Sequence, residues 1–166
     1  MPYRVPAQTR KALRELALLV RRHFAKDDEP FPVLRVVENI QWFDSQWHFE
    51  VAGREEFAPN EHGATIPSEK VIKIREDIYV GASNGRGRDR MTVAHELGHF
   101  LLHEESVVLC QIRGKIPAYK DPEWQAKCFS GELLIPFPAI AGMSAEEIVA
   151  KYGVSKEAAR YALRKA

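Results

Sequence analysis

HELGHFLLH, residues 95–103, is the stretch from which the rest of the chain can be read. His95 and His99 stand four residues apart, about one turn of an α-helix, so their imidazoles leave the same face and can converge on one cation. Zinc suits such a pair. Neutral ring nitrogens bind it at about 2.0–2.1 Å, and a catalytic site leaves one position to a water whose pKa falls toward about 7. Glu96, beside the first histidine and turned to the open side, is placed to take that water's proton and deliver it to a leaving amine. With this chain's six His and seventeen Glu, a shuffled sequence contains His-Glu-x-x-His in about 2% of cases. Val93, Ala94, Leu97 and Leu101 supply an apolar stripe on the opposite face, and Gly98 permits close packing, so the motif falls in a helix rather than a loop.

His103 lies about 12 Å along the helix axis from His95, too far for both to reach one ion, and reads as a packing or rim histidine. Leu102 and Glu105 stand where a His-Glu-x-x-His-x-x-Gly-x-x-His site carries its Gly and third His, which excludes that arrangement. A third ligand is therefore expected from a second helix. DPEWQAKCFSGELLIP, residues 121–136, opens with Asp121 as N-cap and Pro122 at the first helical position, with Ala126, Phe129 and Leu133 toward the core. Glu123 and Glu132 point to opposite sides of that helix, so one of them can face the metal, and spacing leaves the choice open.

Upstream, Leu13, Leu16, Ala17, Val20 and Phe24 mark an amphipathic helix over about Thr9 to Phe24, with Lys11, Arg14, Glu15, Arg21 and Arg22 largely on its other face. A short helix is expected around Val33 to Asn39. Trp47, Phe49 and Val51 alternate with polar residues as in a strand, and Val71 to Arg75 and Ile78 to Val80 read as two more strands around a Glu76-Asp77 turn. Gly81 to Arg88 then reads as a loop, with Asp89 capping the histidine helix. The composition, 45% hydrophobic and 28% charged with a net charge of +1, fits a globular chain and gives no global electrostatic reason to bind nucleic acid. No apolar run approaches the roughly 20 residues that span a bilayer, and the first residues lack a secretory h-region, so a cytoplasmic location is expected. Cys110 and Cys128 then read as two buried thiols rather than a bridge.

With both helices in view, the sequence resembles the ImmA/IrrE family of zincin-like metallopeptidases. The matches are Arg90, Thr92, His95, Glu96 and His99, then Glu123, Ala126, Leu133, Leu134 and Pro136. They span Val71 to Pro136 well and the two ends of the chain more loosely. The resemblance implies Glu123 as the third ligand and leaves Glu132 as a surface or salt-bridge residue. Lys127 departs from the family's Asn; it can pair with Glu123 at i,i+4 but cannot accept a histidine N–H, which implies weaker metal binding or turnover. The implied fold places an extended peptide on a sheet edge, for which the strands within Val71 to Val80 are candidates. Tyr119 is a candidate oxyanion donor, with packing or exposure as its alternative.

SAEEIVAKYGVSKEAARYALRK, residues 144–165, carries a Ser144/Glu147 capping box, a stop at Gly153 and a new cap at Ser155, a helix-turn-helix pattern. Lys156, Arg160, Arg164 and Lys165 suit phosphate contacts, while Ile148, Val149, Val154, Ala158, Tyr161 and Leu163 suit docking onto the core, the preferred reading. The sequence thus predicts an α+β fold: a zincin-like metallopeptidase domain over 1–140 with a small sheet, and a helix-turn-helix-like extension over 141–166 packed on it. The expected cofactor is Zn2+, although manganese or iron compete for such ligands. The expected partner, by resemblance, is a protein substrate such as a helix-turn-helix repressor or antitoxin. A toxin-like or regulatory binding module with a structural metal, and a DNA-binding regulator acting through the tail, are the alternatives.

Overall fold

A computed structural model describes residues 7–103 and 118–165. The chain enters with α1 (Arg10–Arg22), capped by the Thr9 hydroxyl, and buries Leu13, Ala17 and Val20 at the predicted spacing. Arg21 departs from the expectation that the charges share the solvent face. It is buried, donates to the carbonyls of Leu133, Lys26 and Glu29, and lies over the Tyr152 ring. Those acceptors are what make a buried guanidinium tolerable. The short α2 (Val33–Glu38) follows, with Val33, Val36 and Val37 buried.

Three strands form one sheet in the order β1 (His48–Ala52), β3 (Val71–Arg75), β2 (Gly63–Ile66). β1 runs parallel to β3 with Phe49 opposite Ile72, and β2 runs antiparallel to it with Thr65 also opposite Ile72. Two expectations are corrected here. β3 is paired on both sides, so the stretch 71–75 has no free edge to offer a peptide. Ile78–Val80 is not a strand but part of α3 (Glu76–Ser83). The local charges explain the helix: Glu76 and Asp77 fill its first turn, where the macrodipole favours them, and Arg75 closes on Asp77 at 2.7 and 3.0 Å. Ile78 and Ala82, four apart, are its buried pair. β2 is not announced by the sequence at all, because its four residues are half-buried and carry no alternation. The alternation read through 47–51 holds only at its start: Trp47 is fully buried but Val51 is exposed.

The expected loop at Gly81–Arg88 contracts to residues 84–86, since α4 (Gly87–His103) begins directly after that turn. Asp89 therefore lies inside the first turn of α4 rather than capping it, buried against Gly81 where a Cβ would collide with its carboxylate. α4 buries Val93, Ala94, Leu97 and Phe100, and Phe100 rather than the half-buried Leu101 carries the stripe forward, its ring edge-on to Trp47 at 4.7 Å. α5 (Pro122–Leu134) is capped by Asp121, buries Ala126, Phe129 and Leu133, and packs against both α1 and α4.

The tail forms α6 (Ala145–Tyr152), with its capping box and a left-handed Gly153 (φ 64°), then α7 (Lys156–Lys165) behind the Ser155 cap. Ile148, Tyr152, Val154 and Ala159 join the same apolar cluster as α1, α4 and α5. Arg90 of α4 clasps this tail, donating to the carbonyls of Gly153 at 3.0 Å, Tyr152 at 3.4 Å and, on the other side, Phe31 at 2.9 Å. The fold is α+β, seven helices and a three-stranded sheet among the described residues. Cys128 is buried and free, while Cys110 lies outside the described residues. None of the described helices is long and apolar enough to cross a membrane.

Two glycines test this packing. A Cβ at Gly87 would strike the backbone of Val154 and Ser155, whereas at Gly131, inside α5, it would meet nothing within 4 Å. Gly87→Ala is expected to lower unfolding free energy by about 1–3 kcal/mol in urea titrations, and Gly131→Ala to leave it unchanged or raise it by about 0.5–1 kcal/mol. Asp77, held down to about 2 chiefly by its hydrogen bond to Arg75, contributes stability that is present above the ordinary carboxyl pKa and lost as pH falls through about 2. Thermal melts from pH 5 to 2 should therefore lose less in Asp77→Asn than in the wild type.

Candidate metal centre

α4 and α5 approach so closely that a Cβ on Gly98 would lie 3.3 Å from the Ala126 carbonyl oxygen and 3.2 Å from the Phe129 ring. His95 sits three residues before that contact on α4, His99 one after it, and Glu123 three before Ala126 on α5. The three side chains meet as a result. His95 Nε2 is 3.0 Å from Glu123 Oε2, His99 Nε2 is 3.0 Å from Glu123 Oε1, and the two Nε2 atoms are 3.2 Å apart. All three donors lie within 4.8 Å of one another. Two imidazoles and one carboxylate are a donor set that zinc and other first-row divalent ions accept, so the residues present fit such an ion.

The charges say the same. Glu123 is held far below the usual carboxylate range by hydrogen bonds from His95 and His99. Burial pulls the His99 imidazole down, but its bond to Glu123 and the negative charges of Glu96 and Glu123 more than reverse this, leaving it raised. Positive charge is favoured at the meeting point. Glu96 is 8% exposed and its pKa is raised, first by burial, with the two imidazoles and the Thr65 hydroxyl opposing. Thr65 Oγ1 lies 2.9 Å from the Glu96 carbonyl oxygen and 3.0 Å from its Oε1. Gly63 lets β2 come this near, since a Cβ there would stand 3.1 Å from Glu96 Cγ.

His103 is a packing histidine, one of the two readings the sequence offered. It is buried behind His99, Nδ1 to Nδ1 at 3.1 Å, with its Nε2 2.9 Å from Gln125 Oε1, and burial brings it down to about 4. Glu132 is not in the His95, His99 and Glu123 group and takes two bonds from Arg14 at 2.9 and 3.0 Å, with Arg10 at 3.8 Å. It is a salt-bridge residue, as the resemblance implies, but a buried one at 8% exposure. Lys127 is exposed and makes no ion pair with Glu123 among the described residues, because the carboxylate is drawn to the imidazoles instead. Tyr119 is exposed, and its side chain does not line the cavity over the site.

That cavity, about 1150 Å³, is lined by His95, Glu96, His99 and Glu123, by Thr65 of β2 and by Tyr161 of α7. Thr65 and Gln125 are the residues that sequence reasoning missed. Thr65 gave no signal, since its strand was invisible. Gln125 gave a faint one: it is a polar residue beside Ala126 and four before Phe129, on the core-facing stripe of α5.

The family described as Peptidase_M78, IrrE N-terminal-like domain, matches residues 56–164. No curated protein matches the chain. Among solved structures, a Mycobacterium tuberculosis transcriptional regulator is similar at 12% identity with a TM-score of 0.51. The likeness covers 92% of this chain and 51% of the other, so this chain spans about half its relative's length. At that identity the likeness shows the fold alone.

The two glutamates of α5 separate by experiment. Elemental analysis of Glu123→Gln, purified without chelator, is expected to show most of the bound metal lost. Glu132→Gln should keep its metal and instead lose about 1–3 kcal/mol of stability through the buried Arg14 partner it abandons.

Proposed function

Because the chain belongs to the Peptidase_M78 family of IrrE N-terminal-like domains, we propose that it is a zinc-dependent peptidase in which His95, His99 and Glu123 hold the ion and Glu96 is the general base. The observation that carries this reading is the meeting of two Nε2 atoms with both oxygens of one carboxylate at 3.0 Å, beside a buried glutamate. When bound, zinc supplies Lewis acidity, polarising a carbonyl and bringing water toward a pKa of about 7. The Glu96 carboxylate takes a proton from the attacking water and returns it to the leaving amine. The burial that raises its pKa favours the protonated form that this second transfer needs. Thr65 holds that carboxylate in orientation.

β2 is the edge we assign to substrate. It flanks β3 on one side only, and Gly63, Ala64 and Thr65 line the cavity, so an extended peptide can add there by main-chain hydrogen bonds. In this proposal the substrate is a cytoplasmic helix-turn-helix repressor or antitoxin, a choice supported by resemblance in the two helix motifs. Residues 1–140 serve as the catalytic unit and 141–166 as an extension on it. DNA is the weaker partner, because Ala158, Tyr161, Ala162 and Lys165 of α7 line the cavity and Lys156 is engaged by Glu146 at 3.4 Å. One observation favours a second reading, a protein-binding module whose metal is structural or weakly active: the exposed Lys127 ammonium lies on the cavity wall where the resembled family has Asn.

Glu96→Gln separates the two readings. Under the peptidase reading it loses at least about 10²–10⁴-fold in peptide hydrolysis while its zinc content stays that of the wild type. Unchanged cleavage removes Glu96 from the chemistry; a wild type that binds its partner without cutting it favours the binding module.

A further inference from the structure

We infer that His103 and Gln125 are positioning residues that fix the His99 tautomer, through a chain of hydrogen bonds whose direction is set by the backbone carbonyl of Tyr119. The inference rests on the metal-site reading above and adds to it the groups that orient one ligand. The chain runs from Tyr119 O to Gln125 Nε2 at 2.8 Å, from Gln125 Oε1 to His103 Nε2 at 2.9 Å, and from His103 Nδ1 to His99 Nδ1 at 3.1 Å. His99 Nε2 emerges at the far end, 3.0 Å from Glu123.

Each proton in this chain is forced by the one before it. A carbonyl only accepts, so Tyr119 O must face the amide –NH₂ of Gln125, which turns Oε1 toward His103. That oxygen also only accepts, so His103 carries its proton on Nε2 and donates it. A neutral imidazole then presents a lone pair at Nδ1, and His99 must place its own proton on Nδ1 to meet it. With one proton fixed on Nδ1, the proton that His99 gives up to a metal is the one on Nε2, and the lone pair so freed points at the cluster, the form a metal ligand needs. The anchor is firm, because Tyr119 O also accepts from the Gln8 amide at 2.8 Å. Both relay side chains are held in place by burial, His103 at 4% and Gln125 at 1% exposure. A buried glutamine on the core-facing stripe of α5 has in this way a specific reason to be polar.

The test reads the tautomers and the affinity separately. In ¹⁵N-labelled, zinc-loaded wild type, imidazole nitrogen shifts should show His99 protonated at Nδ1 and His103 at Nε2; His103 protonated at Nδ1 overturns the inference without any variant. Zinc affinity, measured by competition with a chromophoric chelator, should fall about 10–100-fold in Gln125→Leu and in His103→Phe, which keep side-chain bulk. Metal-free unfolding curves accompany each variant, so that loss of affinity is separated from loss of fold. If wild type binds zinc and both folded variants bind it equally well, the inference fails while the metal site stands. If wild type takes up no zinc, the metal-site reading fails and this inference falls with it.

Discussion

The contact between α4 and α5 at Gly98 and Ala126 is the constraint on which the site depends. The three side chains of the candidate site come from two helices whose backbones lie close together, and a hydrogen at position 98 with a methyl at 126 allows it. From that contact the geometry follows by counting residues. His95 and His99 flank Gly98 on one helix, Glu123 lies just under one turn from Ala126 on the other, and the donors fall within 4.8 Å. Leu97, Phe100, Phe129 and Leu133 seal the space around the contact and fix the rotation of each helix about its axis.

The sheet contributes less mass but completes the chemistry. β3 is the spine, almost fully buried, and its pairing on both sides leaves β2 as the strand that borders the helix motif. Through Gly63 and Thr65 this strand touches Glu96 at its backbone and at its carboxylate. In the proposed reaction the general base is therefore held by the same strand that is assigned to substrate, which links the alignment of a peptide to the orientation of the base.

What could be read from sequence was what depends on local spacing. The histidine pair, the cap and first turn of α5, and the capping box and glycine stop of the tail are set by neighbours within four residues, and all are found as expected. What could not be read depends on partners far along the chain. Ile78–Val80 looks like a strand because three apolar residues are consecutive, but the acidic pair before them starts a helix against β3. β2 has no alternation because all four of its residues are half-buried. Arg21 and Glu132 look like surface charges until partners more than a hundred residues away, the Leu133 carbonyl and the Arg14 guanidinium, are in place. Gln125 and His103 are ordinary letters until they are seen end to end.

The tail has a further meaning in terms of cooperativity. The half-buried Arg90 belongs to the helix that carries both histidines, and two of its three acceptors are carbonyls of Tyr152 and Gly153. Parting α6 and α7 from the rest would strand a guanidinium whose charge burial already disfavours, and would expose Ile148, Tyr152 and Val154 together. Such coupling leaves little room for a state in which the extension is loose and the histidine helix intact. Contacts of this kind favour the loss of both in one transition.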